Sequence, residues 1–330
     1  MQVAYDVLRL LKDSKFHSGT SLANELKVSR SSIWKGIHFL RQLEVNIQAV
    51  PGRGYRWYQP FELLNQQDIQ AGLSLTAKQA FSRIDVVNVL SSTNDYLIQR
   101  IPHGLANGTV CVAEAQTAGR GRMGKTWRSP FGASIYLSFY WRFPSRLHEL
   151  SGLSLVLGLA IIDALKAIAP LPTGVGIKWP NDVWCHQSKL CGILLESCHQ
   201  QTQQQTVSTD VVVGIGMNLN MPELMKLEST WTDLKQVLGY VPGRNDLIAA
   251  LLNSIAEYIV LFQVHGFVHF MAKWRENDLL LEQPVQFSTA CAQQCGIAQG
   301  VNERGELLIK IDGNLKAVRY GDVSVRPDKP

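Results

Sequence analysis

The residues richest in chemistry in this 330-residue sequence lie in one short run, Gly119-Arg120-Gly121-Arg122-Met123-Gly124-Lys125-Thr126. It matches the phosphate-loop pattern G-x-x-x-x-G-K-[ST]. That pattern works only where the loop enters a helix whose N-terminal amides cradle phosphate. Here Trp127-Arg128-Ser129-Pro130-Phe131-Gly132 follow, and then a strand-like run, Ile135-Tyr136-Leu137-Ser138-Phe139. No apolar strand ending in a metal-binding aspartate accompanies them, so the phosphate-loop reading is rejected. What remains is permissive backbone carrying Arg120, Arg122 and Lys125. Glycines let a ligand approach the main chain, and guanidinium groups grip carboxylate and phosphate bidentately. Such a loop suits a site where a carboxylic acid is joined to a nucleotide.

Further segments add to it. Lys178-Trp179-Pro180-Asn181-Asp182 sets a lysine before a rigid turn, and Lys189-Leu190-Cys191-Gly192 opens a strand that runs on to Glu196. Gly214-x-Gly216-x-Asn218 ends another strand. It lacks the third glycine and following helix of a dinucleotide fingerprint. The six cysteines (111, 185, 191, 198, 291, 295) have neither paired spacing nor a histidine at zinc-finger distance, so reduced cytoplasmic thiols and no metal site are expected.

The elements that must position these residues fall into three blocks. Residues 1–60 hold nine Lys/Arg against four Asp/Glu, which accounts for the whole chain's net charge of +5. A basic module on a neutral body suggests one part that binds a polyanion. It also leaves no basic surplus to make the Gly-Arg run a nucleic-acid patch. Within the basic block, helices are expected over 3–14, 20–26 and from an N-cap at Ser29 to about 43, with Ile33, Ile37 and Leu40 inward. Strands over 45–50 and 55–58 meet at Pro51-Gly52-Arg53-Gly54. This is the plan of a winged helix-turn-helix. Its third helix would present Ser29, Arg30, Ser31, Ser32 and Lys35 to the major groove, and its wing would present Arg53 and Arg56.

After a polar linker at Asn65-Gln66-Gln67, strands are expected over 110–115, 134–139, 190–195 and 211–215, and helices over 151–169, 244–264 and 267–278. The glutamine-rich tract 199–206 reads as a hairpin tip. The apolar stretch 150–169 is broken by Asp163 and Lys166 and reads as a buried helix, not a membrane span. From about Pro284, short alternating runs (285–287, 307–311, 316–320) punctuated by glycines read as a small SH3-like β-barrel. The fold class expected is α+β multidomain: a winged helix-turn-helix over 1–64, a central mixed α/β domain over 65–279, and the barrel over 280–330.

Taken in order, Ser92-Thr93-Asn94, Gln116 with Gly119-Arg120-Gly121-Arg122, the Lys178–Asp182 run, Lys189–Glu196 and Gly214-x-Gly216-x-Asn218 resemble the biotin–protein ligase family. With the N-terminal module, the chain is similar over its whole length to the bifunctional ligase and biotin-operon repressor branch. The resemblance implies a cytoplasmic enzyme that forms biotinyl-5′-AMP from biotin and ATP with Mg²⁺, and then transfers biotin to a lysine of a biotin carboxyl carrier protein. It also implies adenylate-dependent operator DNA binding by a ligand-promoted homodimer. Lys178 would bridge the biotin carboxylate and the α-phosphate, with Arg120 and Arg122 ordering the loop and Lys125 reaching the outer phosphates. Ser92, Thr93, Asn94 and Gln116 would hold the ring end of biotin, within a site that also takes in Gly119, Gly121 and Gly192, and Gly216 and Asn218 would border the nucleotide.

Several alternatives stay open at this level. Asn94 could be a helix N-cap instead, and Trp127 and Trp231 could stack on ligand or pack in the core. The repressor-type relatives often carry arginine where this chain has Met123 and Lys125. A ligase for lipoate or octanoate is one rival reading. A transcription factor with a non-catalytic sensing domain is the other.

Overall fold

The computed structural model describes residues 2–203, 206–222, 230–288, 293–319 and 324–327. The first helix, α1 (Gln2–Leu10), buries Ala4, Tyr5, Val7 and Leu8 on one face. Ser18 caps α2 (Gly19–Glu25), and Ser29 caps α3 (Arg30–Gln42) by accepting from the Ser32 amide at 3.1 Å. Ile33, Ile37 and Leu40 of α3 turn inward as their spacing predicts. The hairpin β1 (Ile47–Val50) and β2 (Gly54–Trp57) forms the wing. It begins two residues later than expected because the Val45 amide is still bonded to the Leu40 carbonyl at the end of α3. His17 pairs with Tyr55 on the free edge of β2.

The expected polar linker is instead helical. Asn65 caps α4 (Gln66–Ala71), accepting from the Gln67 and Asp68 amides, and α5 (Leu75–Ala80) follows. Helices of under two turns carry no readable apolar period.

The body is a seven-stranded sheet built from β3 (Arg83–Leu90), β4 (Thr109–Gln116), β5 (Ser134–Phe143), β6 (Val175–Lys178), β7 (Asp182–Cys185), β8 (Ser188–Gln203) and β9 (Thr206–Asn218). Their order is β3-β4-β5-β9-β8-β7-β6, and only β3–β4 is parallel. The β8–β9 hairpin pairs out to Gln203–Thr206, so the glutamine-rich tract flanks its turn; residues 204–205 themselves lie outside the described residues. Helix α6 (Thr93–Ile98) lies on one face of the sheet. The other face is covered by α7 (Leu153–Ile168), α9 (Arg244–His265) and α10 (Met271–Asn277), while α8 (Leu234–Leu238) stands ahead of α9. By length and composition the helical stretches Leu147–Ile168, which ends in α7, and α9 could cross a membrane, yet most of each is buried within this core.

Strands β10 (Pro284–Ser288), β11 (Gln293–Val301), β12 (Leu307–Ile311), β13 (Asn314–Val318) and β14 (Ser324–Pro327) form an antiparallel sheet in the order β13-β12-β11-β10-β14. The expected strand 316–320 starts two residues earlier, and Tyr320 lies outside the described residues. Val285, Phe287, Leu307 and Ile309 continue the core of the body. Trp179 donates its indole N–H to the Gly305 carbonyl at 2.9 Å, and the Ser151 hydroxyl donates to the Arg304 carbonyl.

Between the winged helix and the body lies a buried ion pair. Glu114 of β4 accepts from Arg244 Nη1 at 2.6 Å and from the Leu64 amide at 2.6 Å, and Arg244 also donates to the Glu62 carbonyl. Both side chains are 2% exposed. Beside it, Phe131 stacks on Tyr5 of α1 (6.1 Å between centroids) and meets Phe61, which in turn packs edge-on against Trp57.

Two predictions follow from these junctions. Glu114→Ala strands the Arg244 cation in a dry site and lowers unfolding free energy by about 3–5 kcal/mol, read from denaturant titration. Asp278, at the turn between α10 and β10, accepts from the Leu280 amide at 2.9 Å. Burial pushes its carboxyl from 3.8 up to about 6, against the pull of the Leu280 amide, Arg275 and the Trp274 indole. Between those pH values the folded chain keeps a proton that the unfolded chain releases, so this group's contribution to stability falls as pH rises. Relative to Asp278→Asn, the native protein should lose up to about 3 kcal/mol between pH 4 and 6.5 in paired denaturant titrations.

Candidate active site

The site face of the sheet is written in its register. Lys178, Asp182, Gly192, Gly216 and Tyr136 are successive cross-strand partners, so their side chains stand on one face. In the next row Gly214 pairs with Ser138. Three glycines thus clear a trough on adjoining strands, most stringently Gly214 and Gly216, whose neighbours are an amide and an indole held in place. A Cβ at Gly216 would meet the Trp127 indole at 2.5 Å, one at Gly214 would strike the Asn94 amide, and one at Gly192 would meet Lys189 Nζ at 2.9 Å.

One end of the trough is a polar pocket. Gln116, at the end of β4, accepts from the Thr93 amide at 2.9 Å through its carbonyl oxygen and donates to Ser129 Oγ at 2.9 Å. Ser138 Oγ lies 2.7 Å from Thr93 Oγ1 and 2.5 Å from Asn94 Oδ1. Asn94 Nδ2 donates to Glu196 at 2.7 Å. Ser92, not Asn94, is the N-cap of α6, its hydroxyl accepting from the Asp95 amide. Asn94 is buried in the first turn.

The Gly-Arg run forms a tight hairpin. Trp127 N donates to the Gly119 carbonyl and Gly121 N to the Lys125 carbonyl, with Arg120 and Thr126 bridged between them. No helix follows, in line with rejection of the phosphate-loop reading. Arg120 binds Glu196 through two nitrogens (2.8 and 2.9 Å) and Asp95 through one at 2.5 Å, tying the hairpin base to β8 and α6. Arg122 donates to Asn181 Oδ1 at 2.9 Å, and Asn181 in turn donates to the Ile193 carbonyl. Met123 sits at the tip with φ +54° and 74% exposure, and Lys125 is exposed beside it. Trp127 lies over Gly216 and Gly192, and its buried indole N–H has no acceptor among the described residues.

At the other end stand two lysines. Lys178 places its ammonium 4.0 Å from the centre of the Trp184 ring. Lys189 is the one that reaches the floor: its ammonium pairs with Asp182 at 2.7 Å and faces Gly192 and the Trp127 ring. Lys178, the lysine expected to bridge carboxylate and phosphate, thus stands over Trp184, while Lys189 lies three residues before Gly192, the cross-strand partner of Gly216. Asn218 is buried and donates to the Thr232 and Lys189 carbonyls, and half-buried Trp231 bridges Lys189. These two therefore position the lysine strand. Among the described residues no group of three or more His, Cys, Asp or Glu could hold a metal ion.

Comparison with known proteins gives the following. Residues 86–218 match the biotin/lipoate A/B protein ligase family and residues 4–56 match an HTH domain. The chain is 35% identical to the bifunctional ligase/repressor BirA of Salmonella typhimurium, over 98% of each chain. It is 34% identical to that of Escherichia coli K12, over 98% of this chain and 97% of the relative. A biotin protein ligase from Aquifex aeolicus, solved in complex with biotin and ATP, is 29% identical with a TM-score of 0.64, covering 75% of this chain and all of that one.

The trough itself is testable. Gly214→Ala should drive Asn94 off Ser138 and Glu196 and lower unfolding free energy by about 1–3 kcal/mol. Adding Asn94→Ala removes the clash, so the double variant should be less destabilised than the sum of the singles in a double-mutant cycle.

Proposed function

The chain belongs to the biotin–protein ligase family, in the form that carries an N-terminal HTH domain, and on that premise we propose that it both attaches biotin to a carrier protein and represses transcription. The biotin carboxylate attacks the α-phosphorus of ATP, the bond to the β-phosphoryl oxygen breaks, and pyrophosphate leaves biotinyl-5′-AMP behind. A lysine amine of a biotin carboxyl carrier protein then attacks the acyl carbon and AMP departs. Activation is by adenylation, so no cysteine or histidine nucleophile is needed.

The observation that carries this reading is the cleared row Lys178–Asp182–Gly192–Gly216, with a polar pocket at one end and two lysines at the other. Ser92, Thr93, Asn94 and Gln116 frame the ring end of biotin, with Gly119 and Gly121 beside it. Lys189 and, behind it, Lys178 meet the carboxylate and the α-phosphate, where two anions must be brought together. Arg120 and Arg122 hold the hairpin over them, and Lys125 serves the outer phosphates. Gly216, Asn218 and Trp231 border the nucleotide, Trp127 stacks on the ligand, and Mg²⁺ arrives on the ATP phosphates.

Residues 1–64 bind operator DNA through Ser29, Arg30, Ser31, Ser32, Lys35, Arg53 and Arg56, 65–279 form the ligase, and 280–330 form an SH3-like barrel. The setting is the cytoplasm, where the six cysteines stay reduced. The adenylate promotes a homodimer that sets two winged helices on two half-sites.

The test offers biotin, lipoate and octanoate in turn, each with ATP, and follows pyrophosphate release and the intact mass of a biotin-acceptor domain. Biotin alone should release pyrophosphate and add mass; activity with lipoate or octanoate but not biotin overturns the reading. Lys189→Ala should lower kcat/KM by about 10²–10³-fold, and Lys178→Ala by less. Trp127→Phe should erase a ligand-induced change in indole fluorescence. Biotin with ATP should raise affinity for a selected duplex at least about tenfold, and Arg30→Ala should reduce the salt slope by about one. An affinity indifferent to biotin and ATP would refute the coupling.

A further inference from the structure

The outward face of α3 carries a feature that neither phosphate contact nor folding explains. Trp34 is 59% exposed, in the middle of a helix whose opposite face supplies Ile33, Ile37 and Leu40 to the core. An indole left in water forgoes burial that a small domain could use. Its ring is also held in place: it stacks on His38, with centroids 5.5 Å apart and planes 9° from parallel. The stack lies one turn beyond Arg30 and Ser31 and beside Lys35, all exposed. On the wing of the same basic module, Arg53 lies 4.3 Å from the Phe16 ring centre and keeps its own exposure. Cations therefore flank an apolar plate, and the surface around it is complementary to a polyanion.

Resting on the DNA-binding reading above, we propose that Trp34 is a sequence-determining contact that reads thymine C5-methyl groups in the major groove, with His38 holding its ring flat. The chemistry selects that partner. Of the groups the four base pairs display in the major groove, the thymine methyl is the apolar one, and the rest are hydrogen-bond donors and acceptors. An indole edge at the centre of the recognition face has no other apolar surface to cover. Stacking against His38 removes rotamer freedom beforehand, so less ordering remains on binding. Arg30, Lys35 and Arg53 supply the sequence-independent grip and the salt dependence.

The experiment selects duplexes from a random pool with the full-length protein, biotin and ATP, then rebuilds the winning duplex with deoxyuridine in place of each thymidine in turn. Loss of one methyl at one or two positions per half-site should weaken binding about fourfold, with no change at the others. Trp34→Ala should bind thymidine and deoxyuridine duplexes equally, and Trp34→Phe should keep part of the difference. Circular dichroism and the unfolding midpoint should show both variants folded, since the position is exposed. Wild-type protein that discriminates nowhere, or Trp34→Ala that still discriminates, overturns the inference while leaving DNA binding intact. A wild-type protein that selects no duplex at all overturns the DNA-binding reading itself, and this one with it.

Discussion

The constraint on which the rest of the molecule depends is the Glu114–Arg244 pair. Two opposite charges, each almost wholly out of water, hold together the linker after the wing, strand β4 and the first turn of α9. Such a pair adds little net stability compared with a well-packed apolar replacement, but half of it cannot be removed cheaply. Its value here is positional. Glu114 is two residues before Gln116, the pocket's central amide, and its carbonyl accepts from the Gly132 amide at the far end of the covering loop. Phe131, next to Gly132, is the residue on which Tyr5 of α1 stacks. Both ends of the loop that carries Arg120, Arg122 and Trp127 are therefore anchored on the surface where the winged helix meets the body.

Within that frame the trough follows from what is missing at three positions. Strands β8 and β9 would bury any side chain at 192, 214 or 216 against the helix and loop above them, so glycine is the residue that lets Asn94, Lys189 and Trp127 come down onto the sheet. The opposite face of the same strands carries Ile193, Val213, Ile215 and Met217 into the core under α7 and α9. Period-two alternation thus divides one pair of strands into a stabilising side and a working side.

This division also explains what could be read from the residues alone. The capped α3 is legible from its apolar spacing, α7 and α9 from the length of their apolar runs, and β4, β5, β8 and β9 from short apolar, β-branched or aromatic runs bounded by turn residues. Strands β6 and β7, four residues each, and helices α4, α5 and α6, six residues each, are too short to show a period. Strand β3 passed unread as well, because it lies at the sheet edge with most of its residues half-buried and shows no clean alternation. In the site, the motifs named the right segments but could not rank Lys178 against Lys189. That ranking depends on cross-strand register, which places Gly192 beside Gly216 and so carries the Lys189 ammonium to the floor while Lys178 stays at the edge over Trp184. Arg120 was expected to face ligand, but its partners Glu196 and Asp95 lie 76 and 25 residues away in sequence. No local pattern announces a contact of that range.

Those carboxylates bear on how the site can work. Arg120, Arg122, Lys125, Lys178 and Lys189 surround one small trough, and like charges at 4 Å repel by about 4 kcal/mol at an effective dielectric near 20. Glu196 and Asp95 neutralise Arg120, and Asp182 neutralises Lys189, so part of that repulsion is offset in the folded protein. Any anion entering the trough would have to compete with Asp182 for Lys189. The net gain is a difference between two ion pairings, not a whole one, so Lys189 need not hold its anions with the strength of an unopposed cation. Arg120 is different, since its two carboxylates lie on separate elements and its removal would release the hairpin base from both. The hairpin's first arginine is thus held by two elements at once, and Lys189, across the trough, is held by one carboxylate.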